Sequence, residues 1–142
     1  MRHADIESVL GVVVEFARHL LPPTDVQFGD GSLTSTQLQI LSLVAHAPEQ
    51  PSLVVLARTL RLTQGAVTQA VDGLITRGIV EKQPSATDGR TRLLALTVQG
   101  ADMVSDYESA IVAQVDPWFA ELDDADLAEL ARLLASVRPG RA

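Results

Sequence analysis

The chain has 142 residues, a net charge of −7 from 18 acidic and 11 basic side chains, and no cysteine. That length predicts one domain with a real core and no separate catalytic domain, while the missing thiols exclude a thiol redox switch and a thiolate metal site. No apolar run approaches the roughly 20 residues of a membrane span, and no signal-peptide pattern opens the chain, so a cytoplasmic location is expected. The three histidines, His3, His19 and His46, have no metal-ligand spacing. Neither a metal nor a cofactor is expected.

In chain order, Ile6, Val9, Leu10, Val13, Phe16, Ala17, Leu20 and Leu21 form a wide apolar stripe at helical spacing, with Asp5 as its cap. Val12 and Val14 lie off that stripe, so the first helix asks for two partners, its own core and another subunit. Pro22-Pro23 ends it. Residues 24–32, with Gly29 and Gly31, read as a loop. Thr34 or Ser35 then caps a helix through Leu38, Leu41, Ser42, Val44 and Ala45 that stops before Pro48.

The stretch 52–100 organises the rest. Leu53, Leu56, Ala57 and Leu60 give a short helix with one buried stripe. Thr63 caps the next, where Val67, Ala70, Val71 and Leu74 face inward and Gly65, Thr68, Gln69, Asp72 and Thr76 face away. Gly78 follows Arg77 where that helix should stop. Two helices joined by a few residues, the second with small polar residues outside, suit insertion into the DNA major groove. Residues 79–83 and 92–96 pair as a hairpin around the polar loop 84–91, which reads as a wing able to reach a phosphate or the minor groove.

Beyond the wing, Thr97 caps a long helix through Ala101, Val104, Tyr107, Ile111, Val112 and Val115, with a break expected near Asp116 because Pro117 cannot continue it. Trp118, Phe119 and Leu122 follow. Asp123 with Asp126 forms a capping pair for a last helix whose buried stripe is Leu127, Leu130, Ala131, Leu134 and Val137. Arg138-Pro139-Gly140-Arg141 reads as a frayed tail.

Charge is distributed unevenly. Residues 58–92 hold six basic groups against three acidic, a net of +3, whereas residues 1–57 net −4 and residues 93–142 net −6. Phosphate attraction acts over a Debye length of about 8 Å at physiological salt, so the local surplus outweighs the total. The positive zone coincides with the block suited to reading DNA.

Asp88-Gly89-Arg90, followed by Leu94, Leu96-Thr97 and Gly100, resembles the wing signature of the MarR family of winged helix-turn-helix transcriptional regulators. Leu56-Ala57 and Gly78-Ile79-Val80 match upstream, and the likeness extends over nearly the whole chain. It implies a mainly α, α+β winged-helix fold of about six helices with a two- to three-stranded wing. It also implies a single domain over 1–142, in which 1–33 and 98–142 dimerise and 34–97 bind DNA. In that family terminal helices of two subunits intertwine, which would set two recognition helices about 34–36 Å apart, one turn of DNA.

Base-edge candidates are Gln64, Thr68 and Gln69, since Gln pairs with adenine and Thr contacts a thymine methyl, with Thr63 at the same helix end. The family often has an arginine near Gln69; its absence predicts weaker guanine reading. Arg90 matches the family's wing-tip arginine of the minor groove, with Asp88 placed to hold its guanidinium. Gly89 departs from the more usual second arginine, and Val54 and Val55 from a polar pair. Arg58, Arg61, Arg77, Lys82 and Arg92 stand as phosphate contacts or as solvated charges. The resemblance further implies a small aromatic or phenolic effector in a cleft lined by Phe16, His19, Phe28, His46 and Tyr107, with core packing as the alternative for each.

The expected function is a sequence-specific transcriptional regulator, a repressor, acting as a homodimer on a pseudo-palindromic operator in double-stranded DNA. The alternative is a winged-helix protein-interaction module without DNA binding. An enzyme is not expected, because no nucleophile–base pair or phosphate loop is present and Asp123-Asp124-Ala125-Asp126 reads as a helix cap.

Overall fold

Every buried apolar side chain among the described residues lies between Phe28 and Val104. The computed structural model describes residues 1–20 and 26–138. The helix stop expected at Pro22-Pro23 and the tail from Pro139 onward lie outside them. The chain forms two units, Met1–Val104 and Ser105–Ala142.

The first unit runs α1 (Arg2–Leu20), β1 (Val26–Phe28), β2 (Gly31–Leu33), α2 (Ser35–His46), α3 (Leu53–Leu60), α4 (Gln64–Thr76), β3 (Val80–Pro84), β4 (Arg92–Leu96) and the start of α5 (Val98–Val115). Asp5, expected as the cap of α1, instead lies inside its first turn. The segment expected to be a loop is an antiparallel hairpin, with Val26 opposite Leu33 and Phe28 opposite Gly31. Gly29 takes the left-handed conformation at its turn (φ 63°). Phe28 and Leu33 both enter the core, 2% and 0% exposed, which is what holds so short a hairpin.

Local chemistry sets the helix starts. The Thr34 hydroxyl accepts from the Gln37 amide (3.1 Å) while Gln37 Oε1 accepts from the Thr34 amide (3.0 Å), a complete capping box. The same Gln37 donates from Nε2 to the Ala70 carbonyl of α4 (3.3 Å). Gly73 makes room for it, since a Cβ there would lie 2.6 Å from Nε2. Ser52 caps α3 and Thr63 caps α4 through their hydroxyls.

Pairing of β3 with β4 runs from Val80 opposite Leu96 to Pro84 opposite Arg92. Ser52 adds an isolated bridge to Leu93, and the Leu94 amide donates to the Pro51 carbonyl (2.9 Å), so a third short segment joins the sheet as expected. Thr97 caps α5 by accepting from the Gly100 amide (2.9 Å), while its own hydroxyl donates to the Gly78 carbonyl (2.5 Å). The end of α4 and the start of α5 are thereby tied at one residue.

In the second unit α5 continues to Val115, a 3-10 turn spans Asp116–Phe119, and α6 covers Asp124–Ser136. The break falls at the expected place. Asp123 caps α6 by accepting from the Asp126 amide (2.8 Å). The stripe of α6 is not buried within the chain: Leu127, Leu134 and Val137 are 41%, 50% and 56% exposed. Nor is that of α1, where Val9, Leu10 and Val13 are each half exposed. No helix among the described residues is long and apolar enough to cross a membrane.

Candidate nucleic-acid interface

Helix α4 is amphipathic in the sense required of a reading helix. Val67, Val71 and Leu74 are fully buried, while Gln64, Gly65, Gln69, Asp72 and Thr76 are exposed. Thr68 is half-buried, and its hydroxyl donates to the Gln64 carbonyl one turn back (2.8 Å). Thr76 does the same to Asp72 (2.9 Å). Those two donors are committed to the helix itself, whereas the exposed side-chain amides of Gln64 and Gln69 make no hydrogen bond among the described residues and can offer both donors and an acceptor to an outside partner. Thr63 is spent as the cap and presents an exposed position beside Gln64.

α3 precedes this helix, and a left-handed residue, Arg61 (φ 55°), makes the turn between them. Arg58 and Arg61 are exposed there, and Lys82 and Arg92 are exposed on the wing strands. Val54 and Val55, which replace the expected polar pair, are 51% and 45% exposed on α3, and nothing in the structure explains them.

The wing tip is an ordered turn. The Ser85 amide donates to the Thr91 carbonyl (2.9 Å), closing the loop. Asp88 Oδ1 accepts from the Arg90 amide (3.0 Å) and Oδ2 from the Thr91 hydroxyl (2.8 Å). Asp88 therefore holds the backbone of Arg90 rather than its guanidinium, a correction to the expected role. A carboxylate two residues ahead of an amide completes an Asx turn more readily than it reaches a long side chain. The Arg90 amide, then the Thr91 hydroxyl, holds the Asp88 carboxyl below the usual aspartate range. Arg90 is left exposed at the tip.

Arg77 departs from the phosphate contacts it was grouped with. Its guanidinium donates to the Phe28 carbonyl (2.6 Å) and the Ser32 carbonyl (3.0 Å), and its side chain is only 23% exposed. Nothing in the sequence signals this, because the partners lie 45 and 49 residues away. Gln37, which ties α2 to α4, was missed for the same reason.

The residues expected to line an effector cleft stand on α1, β1, α2 and α5. Phe28 is core. Phe16 is half-buried and His19 exposed on α1, where His19 Nδ1 meets the Glu15 carbonyl (2.9 Å). His46 is exposed at the end of α2. Tyr107 belongs to the second unit, where burial pushes its phenol up.

A helix-turn-helix followed by a β-hairpin wing, with an uncommitted polar face and exposed bases around it, defines a winged helix-turn-helix protein. The model of the MarR family matches residues 32–91. The HTH-type transcriptional regulator MhqR of Bacillus subtilis is 25% identical over 105 residues, 74% of this chain and 72% of that protein. Wild-type MarR from E. coli in its apo form superposes with a TM-score of 0.55 at 27% identity, over 75% of this chain and 79% of that one. The regulator BldR from Sulfolobus solfataricus gives 0.59 at 19% identity over 96% and 99%, a likeness of fold. Residues 32–91 are thus similar to the MarR family, and the chain has the winged helix-turn-helix fold of MarR-type regulators.

Proposed function

We propose that this chain is a sequence-specific DNA-binding repressor that acts as a homodimer on a pseudo-palindromic operator. The observation that carries the reading is the division of labour around α4. Gln64 and Gln69 stand exposed on the outer face of α4, and Arg58, Arg61, Lys82, Arg90 and Arg92 are exposed on the neighbouring α3, the turn after it and the wing. Neutral hydrogen bonds to base edges then supply specificity, and the flanking cations supply affinity. Relatives named as transcriptional regulators support the same reading. The uncovered apolar stripes of α1 and α6 support the homodimer, since exposed patches of that kind mark association surfaces.

The test is fluorescence anisotropy on an operator selected from random duplexes and on a scrambled control, across a salt series. Gln69→Ala lowers operator affinity and leaves scrambled binding nearly untouched. Lys82→Ala weakens both alike and reduces the salt slope by about one unit. If Gln69→Ala weakens both equally, or neither, the exposed face of α4 is not the reading face. Failure to select any duplex would favour the rival, a winged-helix module that binds protein instead.

A further inference from the structure

We propose that Arg77 is a positioning residue for DNA reading: it clamps the end of α4 to the β1–β2 hairpin and so sets the angle of the recognition helix, without touching DNA. The proposal rests on the DNA-binding reading above.

Arg77 closes α4 with its backbone, whose amide donates to the Gly73 carbonyl (3.2 Å). Its side chain then leaves the helix and spans the hairpin, with Nη1 on Ser32 O at 3.0 Å and Nη2 on Phe28 O at 2.6 Å. Asp30 adds a looser contact at 3.5 Å from a fully exposed carboxylate. Two carbonyls at fixed spacing suit the planar guanidinium fork, and an ammonium offers only one compact donor group. Gly31 keeps the approach open, because a Cβ there would lie 3.2 Å from Nη2 and 3.4 Å from Cζ. The hairpin is a firm anchor: Phe28 and Leu33 are core, and Met103 of α5 covers Gly29 closely enough that a Cβ there would fall 2.5 Å from its methyl.

The lever arm makes the clamp matter. The 13 residues of α4 span about 20 Å, so a tilt of about 5° at Arg77 displaces Gln64 by roughly 2 Å. Hydrogen bonds to base edges tolerate only a few tenths of an ångström, whereas contacts to mobile, repeating phosphates tolerate more. Loss of the clamp should therefore erode operator binding and spare non-specific binding.

Three variants of the full chain separate this from a phosphate contact, measured by anisotropy on selected and scrambled duplexes and by amide hydrogen exchange. Arg77→Lys keeps the charge and loses the fork; it is expected to lose tenfold or more in operator affinity, with scrambled binding within twofold of the parent. Arg77→Met removes the charge and is expected to leave the salt slope unchanged. Gly31→Ala crowds the intact guanidinium and is expected to give the operator defect of Arg77→Lys even if the arginine variants fold poorly. In each, amides of residues 31–33 and 76–79 exchange faster. Operator affinity preserved in Arg77→Lys, a slope reduced by one unit in Arg77→Met, or unchanged exchange overturns the proposal. A parent chain that binds no duplex sinks the DNA-binding reading instead, and exchange alone then reports on the clamp.

Discussion

Gly100→Ala tests whether the start of α5 is seated on Ile79, just past the end of α4, as tightly as the geometry says. A Cβ on Gly100 would lie 1.9 Å from the Ile79 carbonyl oxygen, 2.8 Å from its carbon and 3.1 Å from its Cα. These are backbone atoms, so no rotamer change relieves the clash. Within a helix, replacing Gly by Ala ordinarily gains about 1 kcal/mol. Here overpacking costs about 3 kcal/mol or more, because α5 must lift away from Ile79. Lifting also strains the Thr97 hydroxyl bond to Gly78 and the Thr97 amide bond to Ile79 O (3.1 Å). The net loss is about 2 kcal/mol or more, roughly 5–8 °C or more in Tm at this chain length. Gly65→Ala is the internal control, since a Cβ there meets nothing within 4 Å. Thermal melts followed by circular dichroism read both. A Gly100→Ala variant that melts within 2 °C of the parent would refute the packing argument.

Other outcomes follow from the wing and the terminal helices. Arg90→Ala weakens operator binding by about 1–3 kcal/mol if the exposed wing-tip side chain enters the minor groove, and unchanged affinity in a folded variant removes it from the interface. Asp88 has its folded pKa lowered by the Arg90 amide and the Thr91 hydroxyl, so its contribution to wing order is fully present above the unfolded aspartate value of about 3.9 and is lost as pH falls through the lower folded value. Amide NMR of Arg90 and Thr91 should be flat between pH 5 and 8 and change only below about pH 4; a transition near neutrality would show that another group governs the turn. Sedimentation at tens of micromolar should show a dimer that is lost on deleting residues 1–20, and a monomeric parent would remove the role given to the exposed α1 stripe.

What was legible in the sequence was what local chemistry decides. Thr34, Thr63, Thr97 and Asp123 all cap helices as expected, because a cap needs only a hydroxyl or carboxylate and an amide three residues on. The inward stripe of α4 and the existence of the wing hairpin were readable from the sequence, whereas β3 lies one residue further on, at Val80–Pro84, than the expected 79–83. The β1–β2 hairpin was not, since strands of three residues give too little alternation and two glycines suggest a loop. Its stability is non-local, drawn from burial of Phe28 and Leu33 and from Arg77. The charge of Arg77 pointed to phosphate, and only its distance in space from the hairpin, not in sequence, could show otherwise. The terminal stripes were correctly read as apolar, but apolarity does not say what covers them. The α6 stripe, expected to be buried, holds no buried residue.

Once Arg77 is removed from the basic set, a bound can be placed on the electrostatics of binding. Five exposed cations remain in residues 58–92, the proposed reading head: Arg58, Arg61, Lys82, Arg90 and Arg92. If every one neutralised a phosphate, the salt slope of operator binding would reach about −4.5 per head and about −9 for a dimer. Arg90 placed in the minor groove meets bases as well as backbone, so the slope should fall short of that bound. The acidic surplus outside residues 58–92 sharpens the limit, because carboxylates beyond the reading head repel the duplex and cannot release counterions from it. A measured slope steeper than about −9 would require cations beyond these five, and Arg77 would be the first to reconsider. A slope near −4.5 would mean one head bound, and an isolated half-site of the selected operator should then bind as tightly as the whole.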